Sequence, residues 1–181
     1  SQNTQTRVPN YVAKDGYTED LTARSKVGDA QSRQRLGLLD TRNSTVRWLA
    51  PVAGDSAQVY GSLFSWGWND AGTAALVRTV TRDYTTRTIH RLDPDSARLV
   101  ALDVLVDSAW IGGPCSTCAG WLPGDGGVWY VSEADGWAHL YTMAGDGSRK
   151  AQRTRGRWEV LSAQLTPDRT RWFLHTSEPS V

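Results

Sequence analysis

The sequence repeats one pattern of short strand-like runs separated by polar turns. Each copy opens with a large apolar residue, continues through a turn rich in Asp, Gly, Pro or Asn, and then gives two strand-like runs joined by a second turn. Copies open at Trp68, Trp121 and Leu165. Repeats of roughly 40–50 residues with about four short strands each are typical of β-propeller blades. The pattern therefore predicts an all-β chain, a partial β-propeller of consecutive four-stranded antiparallel blades.

The clearest copy contains a hairpin. Apolar and aromatic residues predominate at positions 128–132 and 138–143, and Asp135-Gly136 separates the two runs. An Asp-Gly pair between two such runs is typical of a tight hairpin turn. Further strands are predicted by the same criteria, at residues 35–39, 45–49, 74–80, 88–92, 98–102 and 171–176.

The repeats also predict how the chain is divided. Residues 1–60 form a loosely assigned start that contains a partial blade, and strands cannot be placed within residues 8–30. Residues 61–181 form about two and a half blades, and the last blade ends in mid-unit. An open arc of blades leaves sheet faces and strand edges uncovered, so self-association of the chain is expected. A solenoid or a sandwich is an alternative to the blades.

The composition of the chain argues against several classes of binding partner. The chain has 20 basic and 19 acidic residues and no basic run, which argues against nucleic acid and anionic membranes as partners. No apolar stretch approaches the roughly 20 residues that a membrane-spanning helix needs. The nine tryptophans favour half-buried, pleated surfaces, and most are expected to pack between sheets.

Cys115 and Cys118 form the one local sequence pattern that suggests a chemical role. A Cys-x-x-Cys pair can form a disulfide, remain as two thiols, shuttle electrons or supply half of a zinc site. The sequence has no second Cys pair to complete a zinc site, and Pro114 and Gly120 indicate a loop rather than a helix start. A loop disulfide or two free thiols is the favoured interpretation, with no metal between the sulfurs.

Several short motifs together resemble the N-terminal region of the dipeptidyl peptidase IV family of serine peptidases. The matching motifs are Trp129-Tyr130, Ser132-Glu133, Asp135-Gly136-Trp137, His139-Leu140-Tyr141, Trp158-Glu159-Val160 and Ser177-Glu178-Pro179. The resemblance covers residues 61–181 well and residues 1–60 loosely. It implies a β-propeller that gates the access of short peptides to the active site of a parent exopeptidase. It also implies a periplasmic or secreted parent.

The resemblance implies that this region carries no catalytic residue. The family's nucleophile lies in a Gly-x-Ser-x-Gly segment, and that pentapeptide does not occur here. His90, His139 and His175 all fall within predicted strands, where a structural role is the expected one. The partners implied are therefore a catalytic α/β-hydrolase domain, absent from this chain, and the parent's peptide substrate. No cofactor is expected.

The family also implies where substrate contacts would lie. Members that remove dipeptides use paired glutamates, and no Glu-Glu pair occurs in this sequence. Other members contribute an aromatic or Arg side chain from a loop that precedes one blade. Residues 110–118 correspond to that loop, which makes Trp110, Gly112 and Gly113 candidate substrate-access residues. The alternatives to a peptidase fragment are a stand-alone binding propeller and a purely structural repeat array.

Overall fold

A computed structural model gives the architecture of the chain. It describes residues 5–23, 26, 36–49, 60–81 and 83–177, with backbone alone for residues 60–66. The chain divides into two compact units, Ser1–Arg33 and Gln34–Val181. The first unit holds an antiparallel hairpin of strands β1 (Thr6–Asn10) and β2 (Glu19–Ala23).

The second unit is also built of strands. In chain order these are β3 (Gly37–Asp40), β4 (Thr45–Trp48), β5 (Tyr60–Trp68), β6 (Ala75–Thr81), β7 (Thr86–Asp93), β8 (Arg98–Val106), β9 (Ala119–Trp121), β10 (Val128–Ser132), β11 (His139–Met143), β12 (Ala151–Gln152), β13 (Val160–Leu165) and β14 (Trp172–Thr176). The one helical element in the described part is the 3₁₀ turn Pro123–Asp125. A search of the same residues finds no helix that could span a membrane.

The strands form consecutive antiparallel sheets, so the predicted partial propeller of four-stranded blades is confirmed. Two sheets have four strands each, in the orders β5-β6-β7-β8 and β9-β10-β11-β12, and the hairpins β3-β4 and β13-β14 lie before and after them in sequence. Trp68, Trp121 and Leu165 are the last residues of β5, β9 and β13, so each ends the first strand of its sheet. The predicted hairpin across Asp135-Gly136 is confirmed as β10 and β11.

Both faces of the β5–β8 sheet are covered. Leu76 and Ile89 pack against Val128 and Tyr130 of the next sheet. On the opposite face, Val77 belongs to a second core, which includes Leu49 and Leu92. Successive side chains of a strand point to opposite faces, so β6 supplies both cores from neighbouring positions. A third core joins the β9–β12 sheet to the β13-β14 hairpin through Trp129, Leu140, Val160 and Leu174.

The tryptophans are less buried than the composition suggests. Four contact the cores, namely Trp121, Trp129, Trp158 and Trp172. Four are exposed, namely Trp48, Trp68, Trp110 and Trp137. Half of the eight described tryptophans thus pack against a core, and Trp66, the ninth, lies outside the residues whose side chains are described. Trp68 and Trp110 lie at opposite ends of the sheets, where turns and loops leave large side chains in contact with water.

The two ends of the sheets differ in how they are held together. At one end, called here the Asp70 end, the Asp70 carboxylate accepts the Gly124 N–H at 3.1 Å, and the Asp125 carboxylate accepts the Asp70 N–H at 2.9 Å. Arg169 forms an ion pair with Asp70. These contacts join the turns that follow β5, β9 and β13. The opposite end, called here the Trp110 end, carries the loop between β8 and β9.

Candidate functional site

The first half of the loop of residues 107–118 is hydrogen-bonded to the turn between β6 and β7. The Asp107 N–H donates to the Thr85 carbonyl at 2.9 Å, and the Ile111 N–H donates to the Tyr84 carbonyl at 2.8 Å. The Asp107 carboxylate accepts the N–H groups of Ala109 at 2.7 Å and Trp110 at 3.3 Å. These bonds fix the start of the loop, because each orders a backbone group that would otherwise bind water.

The structure brings together the three residues predicted for substrate access. Trp110 is 60% exposed, and its ring centroid lies 6.0 Å from that of Tyr84. A Cβ at Gly112 would overlap the Trp110 ring, and a Cβ at Gly113 would overlap the Glu133 carboxylate. The Gly113 N–H donates to that carboxylate at 3.1 Å. Gly112 therefore allows the close approach of the exposed Trp110 ring, and Gly113 allows the close approach of Glu133 to the loop backbone.

A disulfide joins Cys115 to Cys118 in the second half of the loop. The Cys118 N–H donates to the Cys115 carbonyl at 2.7 Å, and the Val131 N–H donates to the Cys118 carbonyl at 2.9 Å. Both cysteines pack against the core that contains Trp129 and Val131. The loop is thus fastened to β10 at its far side. Within the described residues, no group of three or more His, Cys, Asp or Glu is placed to hold a metal ion.

A buried cluster of charges lies beneath the loop. One terminal nitrogen of Arg87, Nη2, lies 3.0 Å from the Asp103 carboxylate and donates to the Ser132 hydroxyl at 3.0 Å. Lys150 Nζ lies 2.7 Å from the other oxygen of Asp103. Burial lowers the pKa of Arg87, and the charge of Asp103 opposes that shift. Burial raises the pKa of Tyr130, whose hydroxyl donates to Asp103 at 3.4 Å.

A small cavity separates the loop from this charged cluster. Its volume is about 10 Å³, and Arg78, Arg87, Ser132 and Glu133 supply its polar wall. Ile111, Pro114 and Ser116 of the loop line the other side. A cavity of this size holds about one water molecule or one ion of similar size, so it cannot admit a peptide.

The histidines have structural surroundings. His90 lies in β7, where its Nε2 is 2.9 Å from the Thr79 hydroxyl, and burial lowers its pKa to about 4. His139 lies in β11, and its two ring nitrogens are 3.1 Å from the Thr154 hydroxyl and 3.1 Å from the Gly156 carbonyl. His175 lies in β14. His90 and His139 thus form hydrogen bonds with groups of the strands and turns around them, and neither is bonded to a carboxylate in these contacts.

Sequence reasoning missed Tyr84, Arg87 and Glu133 as members of this site. Tyr84 supports Trp110, and Glu133 supports Gly113. One signal could have pointed to Arg87, because it precedes the β-branched run Thr88-Ile89 in a predicted strand. A charged residue at a buried strand position requires a partner of opposite charge.

Comparisons with known proteins agree with this architecture. The dipeptidyl peptidase IV from Porphyromonas gingivalis superposes with a TM-score of 0.67 at 22% identity, covering 89% of this chain and 22% of that one. A putative dipeptidyl aminopeptidase IV from Bacteroides ovatus gives a TM-score of 0.61 at 18% identity, with coverages of 89% and 25%. The chain thus spans about a quarter of the length of these solved structures or less. Comparison with curated proteins finds no match.

The sequence profile described as the dipeptidyl peptidase IV (DPP IV) N-terminal region matches residues 1–180. The match extends across the first 60 residues, where the resemblance of individual motifs was loose. It also includes the β1-β2 hairpin, whose strands the periodicity alone did not reveal. The chain therefore belongs to the dipeptidyl peptidase IV N-terminal region family.

Proposed function

We propose that this chain is the non-catalytic propeller portion of a dipeptidyl peptidase IV-like serine exopeptidase and that it shapes the access of short peptides to the parent's active site. Membership of the dipeptidyl peptidase IV N-terminal region family supports the proposal that the parent protein is a peptidase of this kind. The observation that supports a role in access is the loop of residues 107–118, which presents exposed Trp110 on a fixed backbone. An aromatic side chain held in this way offers a peptide apolar contact at low entropic cost.

The first step of this proposal concerns Trp110. Its ring lies against Tyr84 on one side and close to the backbone of Gly112 on the other. A loop held at both sides moves little on binding, so a peptide meets a preformed surface. Trp110 then discriminates among peptides by contact with their side chains and takes no part in bond cleavage.

The parent enzyme carrying Trp110→Ala tests this role. We expect a roughly two- to tenfold rise in KM for dipeptide substrates with kcat unchanged, because one aromatic contact is lost. The matched control is Trp68→Ala, an exposed tryptophan at the Asp70 end, which should leave KM unchanged. Equal kinetics for wild type and Trp110→Ala would contradict the role of this loop.

The 181-residue chain by itself should hydrolyse no Xaa-Pro or Xaa-Ala dipeptide substrate, because it lacks a Gly-x-Ser-x-Gly segment. Turnover that a serine-directed inhibitor abolishes would contradict this. The alternative function is a stand-alone binding propeller or structural array. The open reading frame that encodes this chain distinguishes the peptidase portion from these alternatives. A peptidase parent requires a Gly-x-Ser-x-Gly segment downstream in that frame.

We also propose that the isolated chain self-associates. Among the described strands, β14 pairs with β13 only, and Phe173 in β14 is 72% exposed. An edge strand with an exposed aromatic residue is a template for pairing with another chain. Sedimentation should show concentration-dependent dimers, and Phe173→Lys should reduce them. A monomer at high concentration would contradict this proposal.

A further inference from the structure

The tryptophan that ends the first strand packs against a core in one sheet and is exposed in the sheet before it. Trp121 ends β9, and its ring packs against the core that contains Leu76 and Ile89 of the preceding sheet. Trp68 holds the same place at the end of β5, but it is 51% exposed. A cleft of about 300 Å³ lies beside it, between the β3-β4 hairpin and the turn that joins β7 to β8. A position that serves packing in the next sheet is thus accessible to a ligand here.

The backbone next to Trp68 is held in place. The pairing of β5 with β6 shifts register between Ser65 and Gly67, immediately before Trp68. Such irregularities turn the following side chain away from the direction that a regular strand would give it. The Gly67 carbonyl also accepts the Trp121 indole N–H at 3.2 Å, which ties this backbone to the next sheet. A ligand that stacks on the exposed ring therefore meets a surface that is already ordered.

Hydrogen bonds also fix the walls of the cleft. The Arg47 guanidinium donates to the Asp95 carbonyl at 2.7 Å and to the Pro94 carbonyl, so it joins β4 to the β7-β8 turn. Arg42 donates to the two oxygens of Asp40 at 3.0 and 2.7 Å. Hydrogen bonds from Arg42 lower the pKa of Asp40 to about 2, so this pair stays charged at neutral pH. The cleft therefore has its shape and its polar groups in place before a ligand arrives.

The cleft offers a ligand apolar contact and polar groups without a net charge. Its apolar surface comes from Trp68, Leu39 and Pro94. Two carboxylates and two guanidinium groups also line it, so their formal charges cancel, namely Asp40, Asp95, Arg42 and Arg47. A charged ligand therefore gains no net attraction, and a purely apolar ligand would displace water from the charged groups. A neutral sugar ring meets both conditions, because its C–H face stacks on an aromatic ring while its hydroxyls donate and accept hydrogen bonds at the edge.

We propose that this cleft binds a neutral saccharide, one pyranose ring of which stacks on Trp68. Adjacent hydroxyls of that ring bond to the pair of Asp40 and Arg42, since the carboxylate accepts hydrogen bonds and the guanidinium donates them. The volume lies at the lower end of the roughly 300–1,000 Å³ that ligand pockets span, which suits one or two sugar rings. The cleft lies at the Asp70 end and Trp110 at the opposite end, so the site is independent of the proposed role in peptide access.

Saturation-transfer difference NMR on the 181-residue chain tests the site. The probes are glucose, galactose, N-acetylglucosamine and cellobiose, with glucuronate as the charged counterpart of glucose. We expect transfer to the ring C–H protons of a neutral sugar, because these protons lie against the indole, and weaker transfer to glucuronate. A stronger response to cellobiose than to glucose would identify a sugar chain as the source, and equal responses a free sugar. No transfer to any neutral sugar, or equally strong transfer to glucuronate, would overturn the proposal.

Variants locate the binding. Trp68→Ala should raise the dissociation constant roughly tenfold, because it removes the aromatic contact. Asp40→Ala should weaken binding less, since it removes polar contacts at one edge of the ring, and it decides the matter if Trp68→Ala does not fold. Trp137→Ala is the matched control, because Trp137 is also exposed, at 38%, but lies in the β10-β11 turn at the Trp110 end. Unchanged binding in both Trp68→Ala and Asp40→Ala, or an equal loss in Trp137→Ala, would overturn the site.

Discussion

Asp70 and Arg169 form an ion pair although 99 positions separate them in sequence. Asp70 lies in the turn that follows β5, and Arg169 lies in the turn that follows β13, so the pair spans the β9–β12 sheet. The Gly124 N–H donates to the same carboxylate from the turn between them. Equivalent turns of three successive sheets are therefore connected through one side chain.

These contacts predict which of two substitutions at the Asp70 end lowers Tm more. Asp70→Ala should lower Tm more than Arg169→Ala, because it removes the bond from Gly124 as well as the ion pair. Both losses should be small, since the side chains are exposed and water screens their charges. Differential scanning calorimetry at low and high salt measures them. Equal losses for the two variants would show that Gly124 does not depend on Asp70.

The buried pair of Arg87 and Asp103 predicts a larger loss. Asp103→Ala leaves Arg87 buried without a carboxylate partner and should lower the free energy of unfolding by about 3–5 kcal/mol. Lys150→Met is the matched control, because Lys150 is half-exposed and water already screens its charge in the folded chain. Its loss should stay below about 1 kcal/mol. Urea unfolding measures both, and similar losses would argue against a decisive role for burial.

His90 predicts a stability that falls with acid. Its folded pKa of about 4 lies below the ordinary value of 6.5, because burial disfavours the charged ring. The unfolded chain therefore binds the proton first, and stability decreases as the pH falls from about 6.5 to about 4. The loss amounts to about 3 kcal/mol.

Two histidine variants isolate this effect. His90→Gln retains a polar partner for Thr79 and cannot titrate, so its stability should change less over this pH interval. His175→Gln is the control, because His175 lies on β14 and is not fully buried. Unfolding curves at several pH values provide the measurement. The same pH dependence in His90→Gln and wild type would show that another group is responsible.

The disulfide predicts a local loss of order. Replacing Cys115 and Cys118 together by Ser should lower the free energy of unfolding by about 2 kcal/mol, the loop-entropy value for so short a ring. Residues 107–118 should then be cleaved faster by protease than in wild type, while the β10-β11 hairpin stays protected. Mass spectrometry of the fragments checks this. Unchanged cleavage would mean that the hydrogen bond from Val131 to Cys118 holds the loop alone.

Periodicity predicted the long, regular strands and missed the short or irregular ones. The β10-β11 hairpin was readable because apolar residues surround Asp135-Gly136. Strand β5 could not be predicted in this way, because small and polar residues interrupt its apolar pattern, namely Gly61, Ser62, Ser65 and Gly67. Its pairing with β6 is also irregular. β9 and β12 have three and two residues, which is too few for a period to be seen.

The site was predictable as a loop and not as a set of contacts. Trp110, Gly112 and Gly113 were identified from a resemblance, whereas the support from Tyr84 and Glu133 depends on which sheet follows which in space. Arg87 and Asp103 are 16 positions apart on neighbouring strands, and pairing register alone decides that they meet. Register between strands is set by the whole sheet and cannot be read from either strand.

The consecutive order of strands within each sheet has a consequence for synthesis. Every sheet of the second unit forms from one contiguous segment, so it can fold as soon as that segment has left the ribosome. Leu76 and Ile89 then remain exposed until Val128 and Tyr130, which cover them in the folded chain, have been synthesised. About 40 residues separate the end of β8 from the end of β11, which corresponds to roughly 2–8 s of translation. During those seconds an apolar sheet face is open to chaperones and to other nascent chains.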